Sequence, residues 1–493
     1  MDIVRDQLRA FLADPAALAA GVPDWQRDAW LAGLSFAEKQ LAARPLRKAQ
    51  RDAWEKSAVT RVSLVLGPPG TGKTYLLAWM VCGFLRALRD LKRPCRVLFT
   101  GFTRESIGNL FDDFIPLART HLPGTPTVFF GNPPNQELPG EVQRNKLGDA
   151  DELKDARELL NVPALVAAAT GWSLYKLFAD GAVSGGDGPT APVFDLVIVD
   201  EASQLTLAQG LLGLSGLAAD GRVVVAGDDR QLPPVRASSD ATAADGRNLG
   251  GSLYAFLKSG RTPKFRLTET FRLNSPLADL PARLFYDGEY SSAVPHRRLQ
   301  LRDGWADGLP DWQRATLDPE HPLCVLIHNG PPCGTDNPFE RRVLSELVAS
   351  LVDRLLPEPG RPELTPEYLW TERLAVVTPH RAQNAALRAD LAAHPSGAGA
   401  LVETVDRIQG RERDVILAGY VVSDPEFASA EADFLFSPER LNVTVTRPRS
   451  KLVLLISRRL LEVTPSDERT LRQRVYTTRV RTRYRSRGPF RVA

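Results

Sequence analysis

Short apolar runs and longer stretches of helical spacing alternate along most of this chain. Runs at 63–66, 96–100, 196–199 and 223–226 are rich in Val, Leu and Ile, and each is bounded by Gly, Asp, Thr or Arg. Segments this short and this uniformly apolar predict strands buried on both faces. The stretch 75–88 after the first of them has the spacing of a helix. A second series follows at 323–327, 374–378, 415–421 and 451–456. Two such strand–helix series predict two doubly wound parallel sheets in tandem, an α/β architecture. Residues 1–45 are Ala-, Leu- and charge-rich, with near-helical spacing broken at Pro15, Pro23 and Pro45, and predict short accessory helices. Between about 110 and 160 the pattern weakens into Pro/Gly turns and a charged stretch, which predicts an insertion in the first domain. The expected division is 1–45 accessory helices, 46–262 first domain, 263–463 second domain and 464–493 tail.

Candidate chemistry lies where the predicted strands end. Gly67-Pro68-Pro69-Gly70-Thr71-Gly72-Lys73-Thr74 is a complete GxxxxGK[ST] between the strand at 63–66 and the helix at 75–88. The mechanism of a phosphate-binding loop requires that context. Glycines let backbone N–H groups face the phosphates at a helix N-terminus, Lys73 reaches the β/γ oxygens, and Thr74 can ligate Mg²⁺. Gly67, Pro68, Gly70, Thr71 and Gly72 are accordingly expected to line ATP. At 196–201, four apolar residues lead into Asp200-Glu201. This places one carboxylate to hold Mg²⁺ with Thr74 and another to act as general base on the attacking water. The run at 223–226 leads into Gly227-Asp228-Asp229-Arg230-Gln231, which offers Gln231 as a neutral hydrogen-bonding group for a γ-phosphate or its water.

Composition narrows the class. Apolar residues are 43% and charged residues 25%, the balance of a globular protein and not of a disordered or membrane chain. No apolar run approaches membrane-spanning length. Asp2, Arg5 and Asp6 interrupt the N-terminus before a secretory leader can develop, so a cytoplasmic location is expected. The four cysteines show no CxxC spacing, which indicates neither a disulfide framework nor a zinc ribbon. His321, Cys324, His328 and Cys333 have metal-ligand residue types, but they straddle the apolar run 323–327, which favours a core strand. A net charge of +3 proves no nucleic-acid partner. The local distribution says more: after Glu468 the tail is free of acidic residues, and eight arginines from Arg472 to Arg491 alternate with Tyr476, Tyr484 and Phe490. That composition suits phosphate contact and base stacking, and equally a solvated tail or an edge strand with one charged face.

The ordered motifs resemble those of superfamily 1 helicases, specifically the class B branch that contains the nonsense-mediated-decay RNA helicase and its DNA-processing relatives. Before and through the first domain come Gln50, the P-loop, 98–103 with Asn109, Thr170, Asp200-Glu201-Ala202-Ser203-Gln204 and the Gln231 loop. The series continues with Leu267-Thr268-Glu269-Thr270-Phe271-Arg272, Phe285-Tyr286-Asp287-Gly288 and Val377-Thr378-Pro379-His380. It closes with 403–412 and 440–449, so the resemblance covers about residues 46 to 457.

The resemblance implies two tandem RecA-like domains and an ATP-driven motor on single-stranded DNA or RNA, moving 5′ to 3′. Gln50 is then expected to read the adenine edge and Phe271 to stack on the base, with Glu412 near the ribose and Gly410 also among the nucleotide-binding residues. Arg272 and Arg447 are expected as arginine fingers from the second domain. Thr103, Asn109 and Thr170 in the first domain, with Thr378, Thr404 and Asp406 in the second, match strand-binding positions. The alternative reading of the same residues is a nucleotide-gated clamp or loader that recruits partners without processive unwinding. No nuclease motif is evident, so strand cleavage would fall to a partner protein. Gly101-Phe102 replaces a small-residue and proline pair usual in the family, and Pro448 stands where Ala is usual.

Overall fold

The computed structural model describes residues 11–15, 21–134, 137–179, 193–234, 249–260, 262–358, 360–361, 363–394 and 397–465. The chain divides into two compact units, residues 1–229 with 233–269, and residues 230–232 with 270–493. The first unit holds eight strands: β1 (Val62–Leu66), β2 (Cys95–Gly101), β3 (Thr127–Phe130), β4 (Val142–Asn145), β5 (Ala164–Ala169), β6 (Phe194–Asp200), β7 (Leu217–Gly227) and β8 (Lys264–Arg266). Their order is β4-β3-β5-β2-β6-β7-β1-β8, and every neighbouring pair is parallel. A short pair, β9 (Glu269–Thr270) with β10 (Ser291–Ser292), leads into the second unit. There β11 (Leu323–His328), β12 (Leu374–Thr378), β13 (Val402–Thr404), β14 (Arg413–Gly419) and β15 (Pro448–Ser457) form a parallel sheet of order β11-β15-β14-β12-β13.

Alternation along each strand builds two cores per sheet, one on each face. Val97 and Phe99 enter one apolar cluster of the first unit while Leu98 enters the other. In the second unit Leu452, Leu454 and Ile456 fill one face, and Val453 and Leu455 the other. This is why the strands read as continuous apolar runs and not as an alternating pattern. Two parallel α/β sheets, each covered on both faces, are the tandem RecA-like architecture. Among the described residues no helix is long and apolar enough to cross a membrane.

Several local expectations differ from the structure. The helix Asp24–Gln40, expected as an accessory element, is part of the first unit's core. Its Trp30 is fully buried, and the ring Nε1 donates to the Trp54 carbonyl at 3.0 Å. Gly33 faces Gly83 of the helix Lys73–Asp90 so closely that a Cβ on Gly33 would stand 2.6 Å from the Gly83 carbonyl carbon. The two helices therefore cross backbone to backbone. Gly33→Ala should lower unfolding stability by about 1–3 kcal/mol, the cost of overpacking a tight core; a urea midpoint equal to wild type would show that the contact is not held in solution.

The stretch at 110–160 is not an insertion standing apart from the sheet. It contains most of the regular helix Arg104–His121 and the edge strands β3 and β4, which extend the sheet beyond β5. The unit boundary falls after Glu269 rather than at 262/263, and residues 230–232 group with the second unit. The strand expected to run to residue 421 stops at Gly419. Val421 turns into the left-handed region at φ 65°, and its N–H donates to Glu340 Oε2 at 2.9 Å. Cys324 and His328 lie buried in β11, and His328 Nε2 sits 2.9 Å from Glu340 Oε1.

Candidate nucleotide and strand sites

β1 delivers the chain into the Gly67–Thr74 loop at the C-terminal edge of the first sheet, where ligands of open parallel sheets bind. Gly67 N donates to the Gly227 carbonyl at 3.0 Å, which ties the loop to the end of β7. Gly70 and Gly72 have φ of 73° and 69°, conformations that side-chain-bearing residues adopt only with strain. Thr71 Oγ1 donates to the Pro68 carbonyl at 2.8 Å and closes the loop from within. The helix Lys73–Asp90 starts at once after Gly72, so the loop's N–H groups and the positive end of the helix dipole coincide.

Lys73 is almost completely buried. Its Nζ lies 3.0 Å from Asp200 Oδ1 and 2.9 Å from Glu201 Oε1. Burial opposes the ammonium form, yet the two carboxylates outweigh it and raise the Lys73 pKa above the ordinary lysine value. Asp200, at the end of β6, is pushed upward by burial first, against the pull of Lys73. Glu201 takes φ 50°, a left-handed conformation costing about 1–3 kcal/mol in a residue with a side chain, of the kind that clusters at functional sites. Its N–H donates to Asp200 Oδ1 at 2.8 Å, and Gln204 Nε2 reaches Glu201 Oε2 at 3.4 Å. Gln204 closes the Asp200–Gln204 motif, and its place three residues beyond Glu201 is the signal in the sequence for this contact. On the helix Arg104–His121 the Asp113 carboxyl is pushed up to about 6 by burial, then by Asp112 and Asp200.

The oxygen donors offered by Thr74 and Asp200 suit Mg²⁺, a hard cation commonly held by one or two protein oxygens together with substrate phosphates. Gln50 is buried beside the loop, with Nε2 donating to the Thr71 carbonyl at 3.1 Å and Oε1 accepting from Arg47 N at 3.0 Å. The first unit thus brings together Gln50, the P-loop, Asp200 and Glu201.

Gln231 is grouped differently. Its Oε1 lies 3.4 Å from Arg447 Nη2 and 3.5 Å from Gln409 Nε2, all within the second unit. Arg447 is buried, with Nε donating to the Val443 carbonyl at 3.1 Å and Nη1 to the Arg411 carbonyl at 3.3 Å. Arg272 pairs through Nε with Glu412, and Nη1 donates to the Thr446 carbonyl at 3.0 Å. Burial pushes the Glu412 carboxyl up, but Arg272 leads a set of arginines that bring it below its ordinary value. Phe271 is half-buried beside Arg272, and Gly410 is exposed with φ 83°.

The expected strand contacts fall at the C-terminal edges of both sheets with unequal access. Thr103 caps the helix Arg104–His121, its Oγ1 accepting from Ser106 N at 3.0 Å, and Asn109 is exposed on that helix. Thr170 Oγ1 lies 3.2 Å from Ser173 Oγ. Thr378 and Thr404 are neighbours in the β12–β13 register, but Thr378 is buried and shares a 2.6 Å hydrogen bond with Asn384. Asp406 is exposed and accepts from Arg440 Nη2 at 3.2 Å. Gly101 pairs with Asp200 across β2 and β6, and a Cβ there would meet Ser106 Oγ at 2.7 Å, which accounts for a glycine at this departure from the family pattern. The arginine-rich tail from Arg472 lies outside the described residues.

Two family models, both described as AAA domain, match this chain in succession, over residues 50–237 and 249–459. Among curated relatives, the mouse DNA replication ATP-dependent helicase/nuclease DNA2 is 26% identical over 449 residues, covering 83% of this chain and 37% of that protein. The Drosophila melanogaster regulator of nonsense transcripts 1 homolog is 26% identical over 437 residues, covering 81% of this chain and 33% of that protein. The chain therefore spans about a third of these relatives' length. A solved complex of arterivirus nonstructural protein 10 (helicase) with DNA covers 82% of this chain and 63% of that one, at 14% identity and a TM-score of 0.37, too loose a likeness to carry the assignment. The ordered motifs, the two parallel-sheet units and the pair of domain matches spanning both place the chain in superfamily 1 of the helicases, among the relatives of the nonsense-transcript regulators and the DNA-processing helicases.

Proposed function

We propose that this chain hydrolyses ATP with Mg²⁺ and uses the cycle to move along single-stranded nucleic acid, 5′ to 3′, in the cytoplasm. One observation supports the hydrolytic part most strongly: a buried lysine on a P-loop, within 3.0 Å of carboxylates from two successive residues at the end of β6, two strands away in the same sheet. Lys73 neutralises the β/γ phosphates, and Thr74 with Asp200 holds Mg²⁺, which screens phosphate charge when bound. Glu201 takes the proton from the attacking water, held for that task by its strained backbone and by Gln204. Gln50 and Phe271 take the base, with Glu412 at the ribose and Gly410 beside the nucleotide. Gln231, Arg272 and Arg447 act on the γ-phosphate. Thr103, Asn109, Thr170, Thr404 and Asp406 follow the strand backbone, where small polar groups give contact without reading sequence, whereas Thr378, its hydroxyl buried against Asn384, braces the end of β12. Strand cleavage is left to a partner nuclease.

The test is ATP turnover of the full chain alone and with matched single-stranded DNA and RNA oligomers, run beside an unwinding assay. Stimulation by either oligomer supports the motor. Turnover indifferent to both overturns it, whereas stimulation without unwinding favours translocation or a gated clamp.

Glu201→Gln separates binding from chemistry. The amide keeps the shape of the side chain and leaves Thr74 and Asp200 intact, so ATP and Mg²⁺ should still bind. Turnover should fall about 10²–10⁴-fold, the usual contribution of a general base. Equilibrium binding of a labelled nucleotide checks this, and loss of binding would refute the division of labour.

A further inference from the structure

Among the described residues, three large aromatic side chains are strongly exposed: Phe102 at 38%, Trp172 at 69% and Tyr175 at 54%. They share one place in the fold. Phe102 follows the end of β2, and Trp172 and Tyr175 lie on the helix Gly171–Ala179, which opens directly after β5 and Thr170. β2 and β5 are adjacent and parallel, so these chain ends lie side by side at one sheet edge. The same helix buries Leu174 and Leu177 completely. Trp172 and Tyr175, three apart, therefore share its outer face, with Cβ atoms about 5–6 Å apart. The loop after β3 joins the group: a Cβ on Gly131 would stand 2.1 Å from Ser173 Oγ, and Arg104 Nη1 donates to the Pro133 carbonyl at 3.2 Å. Arg104 and Lys176 are both exposed, Lys176 one helical turn from Trp172 and Arg104 two residues after Phe102.

Apolar side chains this open need an occupant, and size and charge select one. Two rings of this kind offer roughly 150–250 Å² each. That is well short of the about 800 Å² per partner of a stable protein interface, and it matches the faces of one or two nucleobases. The flanking cations suit the phosphates of the same strand. Thr170, already placed on the strand path by its motif, immediately precedes the helix.

We propose that Trp172 and Tyr175 are a base-stacking platform for single-stranded nucleic acid, with Arg104 and Lys176 on the adjoining phosphates. This inference rests on the strand-binding reading above and adds to it a base contact that tolerates any sequence, since every base has a π-face.

The test compares binding of a fluorescent oligothymidylate with that of an abasic deoxyribose-phosphate oligomer of the same length, by anisotropy on the full chain. Wild type should prefer the base-bearing strand. In the Trp172→Ala/Tyr175→Ala double variant, affinity for oligothymidylate should fall about 10–100-fold. Affinity for the abasic strand should barely change, and nucleic-acid-free ATP turnover and thermal midpoint should stay at wild-type values. Trp172→Phe/Tyr175→Phe should retain most of the binding, because the rings remain. Undiminished binding by the alanine variant, or equal losses on both oligomers, overturns the platform while leaving strand binding in place. If wild type binds neither oligomer, the strand-binding reading itself has failed and the platform with it.

Discussion

Lys73→Ala should reduce ATP turnover on the order of 10³-fold while leaving the first unit folded. The lysine contributes a fixed positive charge inside a water-poor site, where a preorganised electrostatic contact is worth far more than in bulk water. Removing one such donor from a developing anion costs about 10²–10³ in other enzymes, and a full charge on the β/γ bridge should stand at or above the top of that range. The substitution also leaves Asp200 and Glu201 without the cation that now lies within 3.0 Å of both. Two neighbouring carboxylates without it disfavour ionisation, which raises the Asp200 pKa further and weakens the Mg²⁺ site. The loss should therefore appear in nucleotide affinity as well as in turnover. Steady-state hydrolysis together with nucleotide binding measures both, and far-UV circular dichroism checks the fold. A folded variant with near-normal turnover would remove the P-loop from the reaction.

Arg272→Ala and Arg447→Ala should each lower turnover by about 10³-fold or more, the scale of an arginine finger, while sparing much of the nucleotide binding. Fingers stabilise charge that develops in the transition state, so their removal acts on catalysis more than on the ground state. The two variants should differ in stability. Arg272 is half-buried and pairs with Glu412, so its alanine variant should remain well folded. Arg447 is buried and donates to the Val443 and Arg411 carbonyls and to Gln231, so truncation removes three hydrogen bonds together with the packing of a buried side chain. That should cost about 2–4 kcal/mol in the second unit. Turnover measured below the lowered unfolding midpoint separates the two effects. If Arg447→Ala folds and hydrolyses ATP normally, its guanidinium only braces the second unit. If both variants do so, the two-domain reaction scheme is wrong.

The P-loop was legible because its chemistry is local. Eight consecutive residues hold the glycine conformations, the lysine and the helix start, so no long-range contact is needed to recognise them. The strands beneath it were legible because burial on both faces leaves an unbroken apolar run, and observed boundaries fall within a few residues of the expected ones for β1, β2, β6 and β11. Strands β3 and β4 were missed for the complementary reason. They are short, lie toward one edge of the sheet and are flanked by proline and glycine turns, so too few residues carry the pattern.

Contacts between residues distant in the chain were decided by tertiary structure alone. The helix Asp24–Gln40 looks like a detachable amphipathic segment until Gly33 meets Gly83 and Trp30 meets Trp54. Thr378 carries a strand-binding motif, yet its hydroxyl is buried against Asn384, a partner that spacing does not reveal. Gln231 follows a first-unit strand in sequence, yet its amide oxygen accepts from Arg447 and Gln409. The exposure of Trp172 and Tyr175 is likewise set by the fold, because helical spacing gives periodicity without saying which face is covered. The sequence by itself determined the phosphate chemistry and the two-sheet class, since both are written in short, contiguous runs. Access to each side chain was left to the fold, because exposure depends on which distant elements pack against it.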